Sequence, residues 1–305
     1  TIELTCGFLF SCSGYYRYDH GYLPDFAGMD RFTGPLVHPQ AWPEDLAYAG
    51  KRVVVIGSGA TAITLIPSLA ETARHVTMLQ RSPTYIASLP ARSPLVGLLR
   101  RVLPERWAGD AIRWFNALFT QAFFQLSRRR PAFVKKMLRK GLERQLPPGY
   151  DIDTHFTPRY DPWDQRLCLD CDGELFKAIR AGTASVVTDH IDTFTEKGVR
   201  LTSGTELEAD IIITATGLEL LFFGGIAVSV DGDAVNLASR MTYKGMMLEG
   251  VPNAAVAVGY TNASWTLKCE LSCAYVCRLL NHMRTTGCRQ CTPINRDTSV
   301  IPSPL

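Results

Sequence analysis

No stretch of this 305-residue chain is apolar for long enough to span a bilayer as a helix. The nearest, Trp114 to Leu126, covers 13 residues and is broken by Asn116, Thr120, Gln121 and Gln125, against the roughly 20 apolar residues that a spanning helix needs. No basic-then-apolar segment opens the sequence, so no secretory leader is read there. Nine cysteines are odd in number and thinly spread, which fits reduced thiols and a cytoplasmic location better than a disulfide framework. H-E-x-x-H, G-x-S-x-G and G-x4-G-K-[S/T] are all missing, which removes zincin, α/β-hydrolase and P-loop chemistry. Cys168-x2-Cys171 and Cys288-x2-Cys291 imitate zinc half-sites, but Cys171 and Cys288 are 117 positions apart. A compact zinc module uses far fewer, and no metal site is expected. Cys269, Cys273 and Cys277 recur at i, i+4, i+8, as small core residues on one helix face would.

Acids are scarce in one region. Residues 91–150 hold 13 Lys/Arg against Glu105, Asp110 and Glu143, a local net of +10; since the whole chain is +3, the remainder is −7. Three readings fit such a stretch: helices packed through their aromatics with a solvated basic face, a membrane-surface face, or a phosphate-binding patch for nucleic acid. No zinc-finger, RRM or KH signature accompanies it, so nucleic acid is not expected. Trp107, Trp114, Phe115, Phe119, Phe123 and Phe124 fall at roughly helical spacing, and the packed reading is preferred, with at most weak attraction to anionic membranes.

What is present is an ordinary globular composition, 46% hydrophobic and 20% charged, with a mean hydropathy of +0.01. This length suggests about two domains. Phe8-Leu9-Phe10-Ser11-Cys12-Ser13-Gly14 and Ile211-Ile212-Ile213-Thr214-Ala215-Thr216-Gly217 share one pattern, each reading as a buried strand that ends at a glycine, where the backbone can turn sharply or approach a ligand. They bracket the middle of the chain as the points where it leaves and re-enters one domain. Inside the bracket, a linker rich in glycine and proline (Gly28 to Pro43) precedes a strand at Arg52 to Ile56. A helix over about 61–73, a strand over about 76–79, helices over 92–145 divided by Pro104 and Pro131, and a helix over about 172–180 follow. Short strands run to Asp210. Beyond Gly217 come a strand over 254–258 and a helix over about 265–284.

Val53-Val54-Val55-Ile56-Gly57-Ser58-Gly59-Ala60-Thr61-Ala62 is a G-x-G-x-x-A turn between strand and helix. Gly57 would make the tight turn and Gly59 would admit a pyrophosphate to the backbone. Ala62 would let helix and strand pack closely, with the helix N-terminus facing the anion. About 23 residues after Gly57, where an NAD site places an acid, stands Gln80-Arg81-Ser82. An acid repels a 2′-phosphate, whereas Arg81 can pair with it and Ser82 can hydrogen-bond it, so NADP is favoured over NAD.

Phe32-x-Gly34-x3-His38-x3-Trp42-Pro43 immediately precedes the nucleotide strand and resembles the fingerprint of the Baeyer–Villiger monooxygenases, the FAD- and NADPH-dependent class B flavoprotein monooxygenases. Met78 to Tyr85, Pro162 to Leu169 and Tyr243 to Leu267 are similar to the thioamide-activating branch of that family in particular. The resemblance covers essentially the whole chain. It implies an α/β, two-dinucleotide-binding-domain flavoprotein fold, with an NADP Rossmann domain (17–85 and 152–214) inserted into an FAD domain (1–16 and 215–305) and a helical insertion over 86–151. It also implies that NADPH reduces flavin, that O2 forms a C4a-peroxyflavin, and that this inserts oxygen beside a ketone carbonyl or onto sulfur. Arg166 falls where the family has its active-site arginine, and a permanent guanidinium suits a peroxide anion. Gln165 stands where many relatives carry a lysine that assists with the 2′-phosphate. Phe32, Gly34, His38 and Trp42 couple cofactor binding to domain movement, with His38 structural rather than an acid or base. Thr216, Gly217, Asn262, Ser264 and Trp265 lie by resemblance near the flavin, although Asn262 or Ser264 would equally serve as a helix cap.

A second G-x-G-x-x-G and a G-G-x-W segment, which that family carries near its N-terminus, are absent, so the sequence is expected to be a fragment that holds FAD weakly by itself. Two other readings stay open: a flavin-dependent disulfide-type reductase using Cys168 and Cys171 as a redox pair, and an NADP-binding remnant without catalysis.

Overall fold

The computed structural model describes residues 2–165, 167–260, 265–297 and 299–300, without the side chain of Ala238. Apart from short 3-10 turns, the chain runs β1 (Leu9–Ser11), β2 (Leu36–Val37), β3 (Arg52–Ile56), α1 (Ala60–Ala70), β4 (His75–Gln80) and β5 (Tyr85–Leu89). Then come α2 (Pro94–Val102), α3 (Glu105–Arg129), α4 (Pro131–Gln145), α5 (Ile152–Phe156), β6 (Leu167–Cys171), α6 (Glu174–Ala181) and β7 (Ala184–Thr188). β8 (Ile191–Thr195), β9 (Gly198–Leu201), β10 (Glu206–Glu208) and β11 (Ile211–Thr214) follow. The last stretch holds β12 (Ser229–Val230), β13 (Asp233–Ala234), β14 (Thr242–Tyr243), β15 (Met247–Leu248), β16 (Ala254–Val256) and α7 (Trp265–Thr286). Two compact units result: Gly21–Gly217, and Thr1–His20 together with Leu218–Leu305.

The unit Gly21–Gly217 is built on an all-parallel sheet in the order β2-β11-β3-β4-β7. β3 and β11 are almost wholly apolar because both faces of such a sheet are covered. Val53 and Val55 pack on one side with Ile63, Ile66, Phe156, Leu175 and Phe176 from α1, α5 and α6. Val54 and Ile56 pack on the other with Phe194, Val199 and Leu201 from the antiparallel β8-β9-β10 meander. Phe26, Met29 and Phe32 close that second core.

The helical insertion enters after β5 and returns at β6, which pair in parallel. Pro94 and Pro131 open α2 and α4, where a missing N–H costs nothing. The expectation that its aromatics pack it is corrected here. α3 buries only Ala108 and Ser127, while Trp107, Trp114, Phe115, Leu118 and Phe119 are exposed. Only Phe123 and Phe124 are half-buried. The insertion is anchored instead through α4, whose Leu142, with Leu146 just beyond it, joins the core under α1. Among the described residues no helix is long and apolar enough to cross a membrane.

In the other unit β1 pairs only with β16. The expected buried strand is exposed at Leu9, since a strand with a single neighbour and one covered face cannot hide alternate residues; β11, flanked on both sides, is buried throughout. α7 buries Ser272, Val276 and Met283, which leaves Cys273 and Cys277 exposed and Cys269 half-buried. Spacing put the three cysteines on one face, and the inward stripe lies a residue away, about 100° around the helix.

Candidate functional site

Residues singled out by sequence gather at the carboxyl ends of adjacent strands of the parallel sheet, where open α/β sheets bind ligands. Gly57 follows β3 with φ of 129°, a conformation that favours glycine. Its N–H donates to Leu79 O at 2.8 Å, and a Cβ there would stand 2.3 Å from Ala215 O. Gly59 is the extended N-cap of α1, without a side-chain cap or an acid in the first turn. The first N–H groups, around Ala60, Thr61 and Ala62, thus form an uncompensated positive end. Ala62 is fully buried, which lets α1 lie close on the sheet. The turn thus leaves backbone N–H groups free at a helix N-terminus, and it fits a dinucleotide pyrophosphate.

Two side chains tie that turn to the insertion strands. Ser58 Oγ and the buried Thr84 Oγ1 are 3.0 Å apart, and the thiol of Cys168, on β6, points at Ser58 O from 3.9 Å. β6 therefore runs beside the glycine turn at Cys168, and Gln165, two residues before that strand, is exposed. Arg166 lies outside the described residues, as do Asn262 and Ser264.

Arg81 and Ser82 are exposed just past β4, and Arg81 makes no ion pair among the described residues. Their backbone is fixed by a network that the sequence reading missed. Gln80, fully buried, donates through Nε2 to His155 O at 2.7 Å and to Thr188 Oγ1 at 2.8 Å. The Thr188 hydroxyl also meets His155 Nδ1 at 2.8 Å, and burial lowers the His155 pKa. The only sequence signal was a polar residue closing an apolar strand.

His38 follows β2. Its Nδ1 accepts from Gln40 N–H at 3.2 Å, so Nε2 carries the proton and donates to Gly217 O at 3.0 Å. The same carbonyl accepts from Tyr22 N–H at 3.1 Å, and Thr216 Oγ1 donates to Tyr22 O at 2.6 Å. A Cβ on Gly21 would collide with the His38 ring. One imidazole thus braces the first and last residues of this unit. Phe32 packs under the meander, Gly34 approaches Asp210 O too closely for any side chain, and Trp42 meets Tyr48 edge-on at 6.5 Å.

In the other unit Trp265 opens α7, 5.0 Å from the Tyr15 ring, and covers Gly259. Among its described residues there is no second glycine-rich strand–turn–helix of this kind. Cys168 is buried and Cys171 exposed on one strand; three residues apart, they face opposite sides and form no redox pair. Among the described residues no cluster of His, Cys, Asp or Glu could hold a metal ion.

The Flavin-binding monooxygenase-like family matches residues 7–101. FAD-containing monooxygenase EthA of Mycobacterium tuberculosis is 58% identical over 285 residues, covering 93% of this chain and 58% of that protein. Steroid monooxygenase bound to NADP superposes with a TM-score of 0.71 at 22% identity, over 93% of this chain and 62% of that one. OTEMO in complex with FAD and NADP gives 0.69 at 20%, over 95% and 63%. The chain spans less than two thirds of the length of each of these proteins. Along nearly all of its own length the chain is similar in sequence to FAD-containing monooxygenase EthA and similar in fold to steroid monooxygenase and OTEMO.

Proposed function

We propose that this chain binds NADPH and belongs to a cytoplasmic, FAD- and NADPH-dependent monooxygenase that transfers one oxygen of O2 to a small ketone, in a Baeyer–Villiger reaction, or to a sulfur centre. The observation that carries the reading is the glycine turn at Gly57–Ala62 with the exposed Arg81 just past the end of the neighbouring strand. The N–H groups of Gly59 to Ala62 bind the pyrophosphate, and Arg81 with Ser82 bind the 2′-phosphate. In this reading Gly21–Gly217 is the nucleotide domain, the helical insertion projects from it, and the segments on either side belong to the flavin domain. A bound flavin supplies electron transfer from the nicotinamide to O2. By the resemblance, Arg166 would hold negative charge that develops on the transferred oxygen. His38, braced on Gly217, transmits domain movement. The exposed Trp107, Trp114 and Leu118 beside Arg100, Arg101 and Arg106 add a weak attraction to anionic lipid surfaces.

Calorimetry of NADPH and NADH tests the assignment. Arg81→Ala is expected to remove a charge-assisted pair worth on the order of 1.5–3 kcal/mol before screening, about 10- to 100-fold in NADPH affinity, and to leave NADH binding unchanged. Equal affinity of the unmutated chain for both coenzymes would refute it.

A further inference from the structure

We propose that Trp163 is a positioning residue, clamped by α3, that fixes Asp164 and Gln165 where the chain approaches β6. The inference rests on the role given above to Arg166.

Trp163 has φ of 74°, a left-handed conformation that bulky residues adopt only when their surroundings over-determine it. The surroundings do so. Its ring meets Phe124 and Phe123 edge-on at 5.8 and 6.3 Å, and Phe123 continues a stacked ladder through Phe119 to Phe115 along α3. The residues on either side are tied to the same insertion: Asp164 pairs with Arg128 at the end of α3, and Asp161 pairs with Lys135 of α4 at 2.6 Å. Tyr85 OH donates to Tyr160 O at 2.7 Å, and Asp164 N–H closes the turn on Asp161 O at 3.0 Å. Every one of these ties precedes Gln165, and three residues after Gln165 the Cys168 thiol already lies against Ser58 of the cradle. The chain is therefore anchored at Asp164 by the helical insertion and again at Cys168 by the glycine turn. The indole N–H is buried and has no hydrogen-bond partner among the described residues, so the ring acts through its shape and a phenyl ring should replace it.

Three variants decide the matter in the FAD-loaded enzyme. Trp163→Gly removes the ring while suiting the backbone, Phe124→Ala opens the clamp from the α3 side, and Trp163→Phe keeps an aromatic wedge. Hydrogen exchange over residues 161–171, measured without substrate, is expected to quicken at least tenfold in the first two and to stay near the parent rate in Trp163→Phe. Product formed per NADPH consumed is expected to fall several-fold in the first two, with hydrogen peroxide released instead. NADPH affinity should change less than about threefold, because the glycine turn is untouched. Unchanged exchange in both Trp163→Gly and Phe124→Ala would overturn the clamp whatever the activity. Quickened exchange with unchanged coupling, in an enzyme whose Arg166→Ala variant does uncouple, would overturn the positioning role. Unchanged coupling in Arg166→Ala itself would instead refute the role given to Arg166, and the exchange rates would still judge the clamp.

Discussion

Gly57 shows how much a single position can dictate. Its φ and the 2.3 Å approach of Ala215 O leave no room for a methyl group that could be relieved by moving a flexible side chain, because the obstacle is backbone. Gly57→Ala is expected to lower Tm by roughly 5–15 °C and to abolish NADPH binding, checked by calorimetry on the folded fraction. Asp170 makes a second case. It is buried beside the start of α6, where its Oδ1 accepts from Leu175 N–H at 3.3 Å and Oδ2 has no partner among the described residues. Burial raises its pKa, opposed by the N–H groups of Leu175, Phe176 and Glu174. A carboxyl whose folded value is raised favours the fold below its ordinary pKa of about 3.9 and loses that advantage as pH rises through the folded value. Asp170→Asn keeps an acceptor for Leu175 without the charge, so it should match the parent near pH 4 and exceed it near pH 8 in urea-unfolding midpoint. Gly57 was legible in the sequence because strand, glycines and helix are contiguous. The Gln80–Thr188–His155 network was not, because its partners come from elements far apart in the chain, and the burial of Asp170 was not, because it is set by what the fold packs around β6 and α6.

At the scale of elements, α3 separates what periodicity tells from what it leaves open. Aromatics at i, i+4 and i+8 establish a helix and a shared face, but the direction of that face depends on what the fold places beside it. Most of the face is exposed, and the part that is covered serves Trp163. Trp107→Gln and Leu118→Gln are therefore expected to alter unfolding free energy by less than about 0.5 kcal/mol and to reduce flotation with anionic liposomes. Leu142→Ala on α4, which does enter the core, should cost about 2–4 kcal/mol. Denaturant melts of the three variants test the contrast directly. The same limit explains the cysteines of α7, whose common face was visible and whose exposure was not.

For the molecule as a whole, the unit Gly21–Gly217 has a parallel sheet covered on both faces by residues of its own, with entry and exit braced by His38 on Gly217. Residues 21–217 expressed alone are expected to unfold in one cooperative transition and to bind NADPH within about tenfold of the parent chain. Loss of cooperative melting would show that the other segments are needed for its core. The sequence by itself determined the parallel strands, the glycine turn, the arginine where an acid would select NAD, and the resemblance that runs along the chain. Each of these is local, written in consecutive residues or in a spacing of a few, and backbone sterics or electrostatics act on it directly. Tertiary structure alone decided that β6 runs beside the nucleotide turn, that α4 rather than the aromatic α3 anchors the insertion, and that Trp163 is held in a left-handed conformation. Those outcomes depend on which surfaces meet across roughly 40 to 110 residues of chain, and that is set by the packing of the whole unit.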